Sequence, residues 1–266
     1  MADPLDVKAR LDEDALAVLV PVAVRMLDNV TDASRLPLLA QRSEAHAERR
    51  IGLGVTGLAD PLIMCGARYG SDRTVELTER WMGAIRYHAY HASAALAAEK
   101  GDFPLYKVDA FLASATIYSL PEDTRDVIRA YGIQNALLTS VAPTGTISLF
   151  ADNVSSGIEP VFSYYYTRSV LMPDGTRREE EVLDYANCLC RRVNGYAPLL
   201  EYFVTAQDIA PGDHVVMQAA AQNFLIRRFP KPSMFQPMLR SIRSKTFIDR
   251  HVIPALVDAR TAGPTT

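Results

Sequence analysis

Apolar residues recur at helical spacing along most of the chain, and this pattern outlines the predicted fold. Residues 14–30 carry a nearly continuous apolar run, interrupted at Pro21, that predicts a mostly buried helix. The longest helical pattern begins after Ser71, a suitable N-cap, and runs to Lys100, where Gly101 ends it. Further helices are predicted for Pro121–Gly132, Arg178–Val193 and Pro211–Leu225.

Two shorter segments have the composition of strands. Residues 136–139 are largely apolar and precede a turn, which predicts a short buried strand. Residues 162–170 are rich in aromatic and β-branched side chains and predict a second strand, followed by a turn at residues 173–175. Helices that alternate with short strands indicate an α/β fold in which helix predominates.

The turn after the first predicted strand, residues 142–148, carries the most suggestive chemistry. Pro143 fixes the backbone, Gly145 allows close approach of a ligand, and three hydroxyls follow at Thr144, Thr146 and Ser148. Hydroxyls and free amides at such a turn can hold a phosphate without a lysine. No Walker loop is present, and a purely structural junction rich in turn-forming residues explains the same pattern.

A glycine-rich segment at residues 50–60 has the spacing G-x-G-x-x-G, with glycines at 52, 54 and 57. A dinucleotide-binding fingerprint requires a hydrophobic strand before it, but charged residues 44–50 precede this one. We therefore interpret the glycines as positions where a helix packs closely against a neighbouring backbone.

Composition narrows the possible partners. The 266 residues are 48% hydrophobic and 22% charged, and the formal net charge of −3 predicts neither nucleic acid nor a membrane surface as partner. No apolar run reaches the length of a membrane span, and the acidic opening residues do not form a secretory signal. The three cysteines make no disulfide framework, so a cytoplasmic location is predicted.

Neither the cysteines nor the histidines form a predicted metal site. Cys188 and Cys190 are two apart on a predicted helix and point away from each other, and Cys65 lies in an apolar segment typical of a core. His88 and His91 share one helical face, but the next turn offers no third ligand. We expect the two histidines to be a partly buried polar pair.

Several of these stretches together resemble the large subunit of ribonucleotide reductases, above all the adenosylcobalamin-dependent (class II) branch. Order and spacing agree with that family over about residues 10–225, and the Pro-Thr-Gly-Thr-Ile form of the loop favours class II. The stretches that carry the resemblance are residues 50–60, 142–148, 156–160 and 213–222.

The resemblance implies both a fold and a site. The implied fold is a ten-stranded α/β barrel made of two parallel five-stranded halves, of which this chain would supply the second half and the surrounding helices. The implied site is the loop, which in the family binds the diphosphate of a nucleoside di- or triphosphate substrate. Matched position by position, its residues are Thr144, Gly145, Thr146, Ile147 and Ser148.

The chain also departs from the family. The family uses a thiyl radical on an Asn-x-Cys-x-Glu finger loop, generated through adenosylcobalamin, together with a separate redox cysteine pair. No cysteine precedes Arg50, and the three that are present match none of these positions, so no catalytic residue is assigned. The resemblance implies adenosylcobalamin as the cofactor, but this chain alone is not expected to bind it or to catalyse the reaction.

Three interpretations of the chain follow from this departure. The first is a fragment or a split part of a ribonucleotide reductase, and a split part would have as its partner a second chain that carries the missing barrel half. The second is a non-catalytic nucleotide-binding remnant or module that keeps the loop. The third is an α/β domain in which the loop is structural only.

Two regions are predicted from the change of character at Leu225. Residues 1–225 form a partial reductase barrel domain, and residues 226–266 form a divergent, basic tail that contains prolines and is predicted to be disordered. A Ser-Lys-Thr sequence that family members carry directly after the preceding helix appears here only at residues 244–246. A frameshifted or rearranged end would produce such a change.

Overall fold

A computed structural model describes residues 11–195 and 198–225, and most of them lie in α-helices. The helices are α1 (Glu13–Ala33), α2 (Leu39–Glu48), α3 (Ala59–Met64), α4 (Asp72–Lys100), α5 (Val108–Leu112), α6 (Ala115–Tyr118), α7 (Glu122–Tyr131), α8 (Gly145–Phe150), α9 (Tyr185–Asn194) and α10 (Pro211–Gln222). The strands β1 (Tyr165–Leu171) and β2 (Arg177–Leu183) form an antiparallel hairpin. Within these described ranges no helix is long and apolar enough to cross a membrane. The predicted tail, residues 226–266, lies outside them.

The long central helix forms as its sequence predicts. The Ser71 side chain accepts a hydrogen bond from the amide of Thr74, and Gly101 ends the helix with a φ of 92°, a conformation that glycine adopts readily. Helices α1, α7 and α10 all pack against α4. Helix α1 continues through Pro21, as the apolar run on both sides of this residue indicates.

The segment from Arg178 to Val193 differs from its prediction as a single helix. Its first part is β2, which pairs along its whole length with β1, and only residues from Tyr185 onward are helical. The turn at residues 173–175 folds the chain back so that residues 177–183 lie beside β1, and this pairing overrides their helical tendency. Asp184 then caps α9 by accepting from the amides of Ala186 and Asn187.

The glycine-rich segment is extended, so the prediction that its glycines lie on a helix is wrong. Leu53 forms a parallel bridge with Thr139, and the Ile51 amide donates to the Leu137 carbonyl at 2.9 Å. Among the described residues, parallel pairing is found between these two segments. The helix-rich character of the fold is therefore confirmed, whereas a five-stranded parallel sheet is not seen in this part of the chain.

Two apolar clusters fill the interior on either side of α4. One lies between α1, α4 and α7, and its fully buried members include Val24, Tyr90 and Ile128. The other lies between α3, α9 and α10 and includes Leu62 and Met217. The extended segments near Leu53 and Leu138 border the first cluster, and the loop that follows them leads toward the second.

A buried ionic cluster joins α1, α4 and the two extended segments near Leu53 and Leu138. Asp28 on α1 is fully buried, and its carboxylate accepts from Arg49 at 2.8 Å and from Lys100 at 2.9 Å. The Asn135 amide donates to the same carboxylate and to the carbonyl of Arg49, both at 3.0 Å. Ser93 on α4 donates to Asn135 at 2.9 Å, so the cluster ties α1, α4 and both extended segments together.

Replacing Arg49 with methionine should unfold the protein more easily, because the Asp28 carboxylate would stay buried with its main cationic partner removed. The expected loss in the free energy of unfolding is about 3–5 kcal/mol, measured by urea denaturation. The matched control is Arg25→Met, which breaks the exposed ion pair of Arg25 with Glu99 and should leave stability almost unchanged. Equal effects of the two substitutions would contradict the importance given to the buried cluster.

Candidate functional site

The predicted phosphate loop ends in a short helix whose first three residues are exposed. Thr144 adopts a left-handed conformation, with a φ of 50°, and α8 begins at the next residue. The first intrahelical hydrogen bond runs from the Ser148 amide to the Thr144 carbonyl at 2.7 Å. The amides of Gly145, Thr146 and Ile147 therefore precede the helical ladder, and no side chain caps them.

The three hydroxyls of the loop have different roles. The Thr144 hydroxyl accepts from the Gly157 amide at 2.7 Å and lies 2.8 Å from the hydroxyl of Thr56. The buried Ser148 hydroxyl donates to the Gly145 carbonyl at 3.1 Å. Thr146 is exposed. Two of the hydroxyls thus shape the loop, and the Thr146 hydroxyl and the helix amides are the donors that a ligand can reach.

Glycines allow the neighbouring backbone to approach the loop. A Cβ atom on Gly54 would lie 2.6 Å from the Ser140 carbonyl oxygen, and one on Gly157 would lie 2.6 Å from that of Ala142. Any side chain at these positions would push the loop away. The prediction of close approach to a neighbouring backbone is confirmed, although these glycines do not lie on a helix.

Behind the loop, a buried carboxylate anchors the segment that follows it. Asp60 on α3 accepts from both the amide and the hydroxyl of Ser155, each at 2.8 Å. The Ser155 hydroxyl in turn accepts from the Ala59 amide at 3.1 Å. The carboxylate of Asp60 also accepts from the Ala186 amide at 3.2 Å, which links α3 to the start of α9.

A cleft of about 260 Å³ opens beside the loop. Gly145 and Ser148 line one part of it, and the carboxyl residues Glu159 and Asp184 line another. Asn153, also in the lining, accepts from the Tyr166 hydroxyl at 3.0 Å. The cleft therefore lies between the first turn of α8 and polar residues that precede, belong to and follow the β hairpin.

Burial shifts the pKa values of the carboxyl groups at and near the cleft. Burial, followed by the nearby charge of Asp60, raises the pKa of Asp184 to about 7. Burial also raises the pKa of Asp60 and of Glu159 above their ordinary values. A carboxyl with a raised pKa is protonated over a wider pH range than an ordinary one, and while it is protonated it does not repel an anion.

The cysteines and histidines lie away from this cleft. Cys65 and Cys190 are buried, Cys188 is half-buried, and none of the three forms a disulfide within the described residues. Burial raises the pKa of Cys65, which lowers its thiolate fraction. His88 and His91 are half-buried as expected, and within the described residues no group of His, Cys, Asp and Glu side chains could hold a metal ion.

Sequence reasoning missed the side chains that support the loop. Thr56 and Asp60 lie in the glycine-rich segment, and their partners Thr144 and Ser155 lie some 90 residues later. No local sequence pattern predicts contacts over such a separation. Asp184 carried one usable signal, its place as an N-cap, which the prediction of a longer helix concealed.

Comparisons with known proteins agree on one family. A family model described as the barrel domain of ribonucleotide reductase matches residues 2–227. The chain is 38% identical over 232 residues to a vitamin B12-dependent ribonucleoside-diphosphate reductase of Mycobacterium tuberculosis H37Rv, a match that covers 80% of this chain and 30% of the relative.

Two further relatives have related names. A vitamin B12-dependent ribonucleoside-diphosphate reductase of Thermoplasma acidophilum is 34% identical over 81% of this chain and 28% of its own length. A ribonucleoside-diphosphate reductase subunit alpha of Chlamydia muridarum is 34% identical over 62% of this chain and 18% of its own length. The chain thus spans less than a third of the length of these relatives.

The raised pKa of Asp184 should make stability depend on pH. Between the ordinary value of 3.8 and about 7, the folded protein holds a proton that the unfolded chain releases. The free energy of unfolding should therefore decrease as the pH rises through this window and level off above it, with a slope of at most about 1.4 kcal/mol per pH unit for one proton.

Urea denaturation at several values between pH 5 and pH 8 measures this dependence. The matched variant is Asp184→Asn, which retains an N-cap acceptor and should show a flatter profile than the native sequence. Identical slopes for the two proteins would contradict the assignment of the proton to Asp184.

Proposed function

The chain belongs to the ribonucleotide reductase barrel-domain family, and on that premise we propose that it supplies the phosphate-binding loop for a cobalamin-dependent reductase. The reaction of the whole enzyme converts a ribonucleotide to the 2′-deoxyribonucleotide needed for DNA synthesis. In this proposal the chain binds the phosphates of a nucleoside di- or triphosphate, and other residues of the enzyme perform the radical chemistry.

The observation that carries the proposal is the arrangement of donors at the start of α8. The amides of Gly145, Thr146 and Ile147 lie in its first turn, and all three residues are exposed. Amides of this kind are suitable donors for phosphate oxygens. The Thr146 hydroxyl adds a further donor, whereas the hydroxyls of Thr144 and Ser148 serve by holding the amides in place.

The described residues do not by themselves fit adenosylcobalamin. The cleft beside the loop has a volume of about 260 Å³, which is small even for an ordinary ligand site of roughly 300–1,000 Å³. A corrin cofactor is much larger than an ordinary ligand. We therefore place the cofactor, which two of the relatives require by name, with the part of the enzyme that this chain does not contain.

The thiols point to the same division. Cys65 and Cys190 are buried, Cys188 is half-buried, and none of the three lines the cleft beside the loop. The radical cysteine and the reducing cysteine pair of the proposed reaction therefore belong to another portion of the enzyme. In this arrangement the chain positions the substrate, and the partner portion supplies the reacting groups.

The paired extended segments near Leu53 and Thr139 support the proposed barrel. Their parallel pairing is the kind that the two halves of such a barrel contain, and the phosphate loop follows directly after Ser140. We propose that these segments become full strands of the second barrel half when the first half is present.

A second candidate function is a non-catalytic nucleotide-binding module. It is favoured by the burial of Cys65 and Cys190, which keeps both thiols away from a nucleotide bound at the loop. The two functions differ in whether a partner portion with an Asn-x-Cys-x-Glu sequence restores reduction of a bound nucleotide. Nucleotide binding by the loop is common to both.

Calorimetric titration of the full chain with ADP, CDP and ATP tests the loop. Thr146→Pro removes an amide donor in the first turn, where proline is tolerated, and should weaken binding by about tenfold or more. Thr146→Ala is the matched control, because it removes the hydroxyl and keeps the amide, and its effect should be clearly smaller. A folded chain that binds none of these nucleotides would contradict the proposal.

The hydrogen bond between Thr56 and Thr144 offers a second test of the same loop. Thr56→Val removes the hydroxyl that lies 2.8 Å from that of Thr144 and should weaken nucleotide binding several-fold, with about 1 kcal/mol lost in stability. Thr56→Ser keeps the hydroxyl and should bind as the native chain does. Unchanged binding by Thr56→Val would show that this contact does not position the loop.

A further inference from the structure

Helix α1 presents apolar side chains on two opposite sides, and only one of them is covered. Val20 and Val24 are buried toward α4. On the other side an exposed stripe recurs every four residues, formed by Val18, Val22, Met26 and Val30, with Leu19 beside it. A helix that is apolar on both sides is typical of a position between two packed layers.

The exposure of this stripe is large. Val18 is 70% exposed, and Val22 and Met26 are 62% and 61% exposed. Single apolar side chains at a surface are common, but a contiguous row of them indicates a surface that binds another polypeptide or a ligand. The regular spacing makes the row a continuous strip along the helix axis.

The stripe continues into a groove at the end of α1. The groove has a volume of about 420 Å³, and Val30, Leu36, Ile51 and Gly52 are among the residues that line it. Val30 belongs to both the stripe and the groove. We call the two together the α1 face.

The groove is lined by an extended segment whose backbone is unpaired at one position in the described part of the chain. The amides of Ile51 and Leu53 donate to Leu137 and Leu138, and residues between them in an extended chain point their backbone groups to the opposite side. Gly52 is exposed, and within the described residues its backbone amide and carbonyl have no backbone partner. The groove can therefore accept an extended segment by backbone pairing.

We propose that the α1 face binds the part of the reductase that this chain does not contain, as a partner polypeptide with an apolar surface and an extended segment. This inference rests on the proposed function. The relatives are more than three times as long as their matched portion, so most of their residues are available to cover this face. A groove between two helices also fits one extended segment better than the broad face of a second copy.

A binding experiment with the full chain tests this partner. The probe is the Mycobacterium tuberculosis relative with its matched portion deleted, taken as the fraction that size exclusion and circular dichroism show to be folded. Association is measured by light scattering after size exclusion and by calorimetry. The variant Val22→Glu with Met26→Glu places charges on exposed positions of the stripe, so it should fold normally while weakening association about tenfold or more.

The matched control is Leu171→Glu with Val193→Glu, which changes two exposed apolar residues elsewhere and should leave association unchanged. Failure of the native chain to bind the probe would overturn the proposal, as would equal binding by the stripe variant. A homodimer that the stripe variant abolishes would also overturn it, because the occupant would then be a second copy.

Nucleotide titration of the stripe variant separates this inference from the proposed function. Nucleotide binding without association with the probe would refute only the partner at the α1 face. Association with the probe by a chain that binds no nucleotide, alone or in the complex, would instead refute the proposed function of the loop.

Discussion

The buried ion pair between Arg49 and Asp28 is the contact on which the placement of the loop depends. A carboxylate removed from water costs several kcal/mol unless cations and hydrogen-bond donors surround it, so its partners must all be in place at once. Arg49 directly precedes one extended segment and Asn135 directly precedes the other. The ion pair therefore sets the register in which the two segments pair. Because the loop directly follows one of these segments, its position depends on that register.

A second group of contacts joins the loop to the opposite apolar cluster. Asp60 holds Ser155 and the start of α9, while the Thr144 hydroxyl holds Gly157. These are bonds from side chains to backbone groups, and they bring together segments that a wide sheet would otherwise align. With a sheet limited to a hairpin and one parallel bridge in the described residues, such contacts carry much of the tertiary order.

The elements that sequence reasoning predicted well are those whose signals are local. Helix α4 begins at a capping serine and ends at a glycine, and its 29 residues follow from these signals and the apolar pattern between them. The turn at residues 142–148 was predicted because proline, glycine and hydroxyls cluster there, and its role in phosphate binding stays a prediction from the resemblance to a known family. Strand β2 was not predicted because its signal is not local. Residues 177–183 are extended only because β1 lies beside them.

The support of the loop was not predictable for the same reason. The contact of Thr56 with Thr144 spans 88 positions, and that of Asp60 with Ser155 spans 95. The sequence around a carboxylate in a glycine-rich segment does not indicate which distant hydroxyl will donate to it. The roles of the phosphate-loop residues and the division at Leu225 stay predictions, whereas the helix-rich fold and the family are established by the described residues and the comparisons.

The left-handed conformation of Thr144 has a consequence for how a ligand would be received. A β-branched residue in this region is strained by about 1–3 kcal/mol, and it persists only where surrounding contacts impose it. Here the hydrogen bonds to Thr56 and Gly157 impose the left-handed conformation, and folding of the chain offsets the energy of this strain. The amides of α8 are thereby held in one conformation, and under the proposed function a phosphate would bind them with little further loss of conformational entropy in the loop.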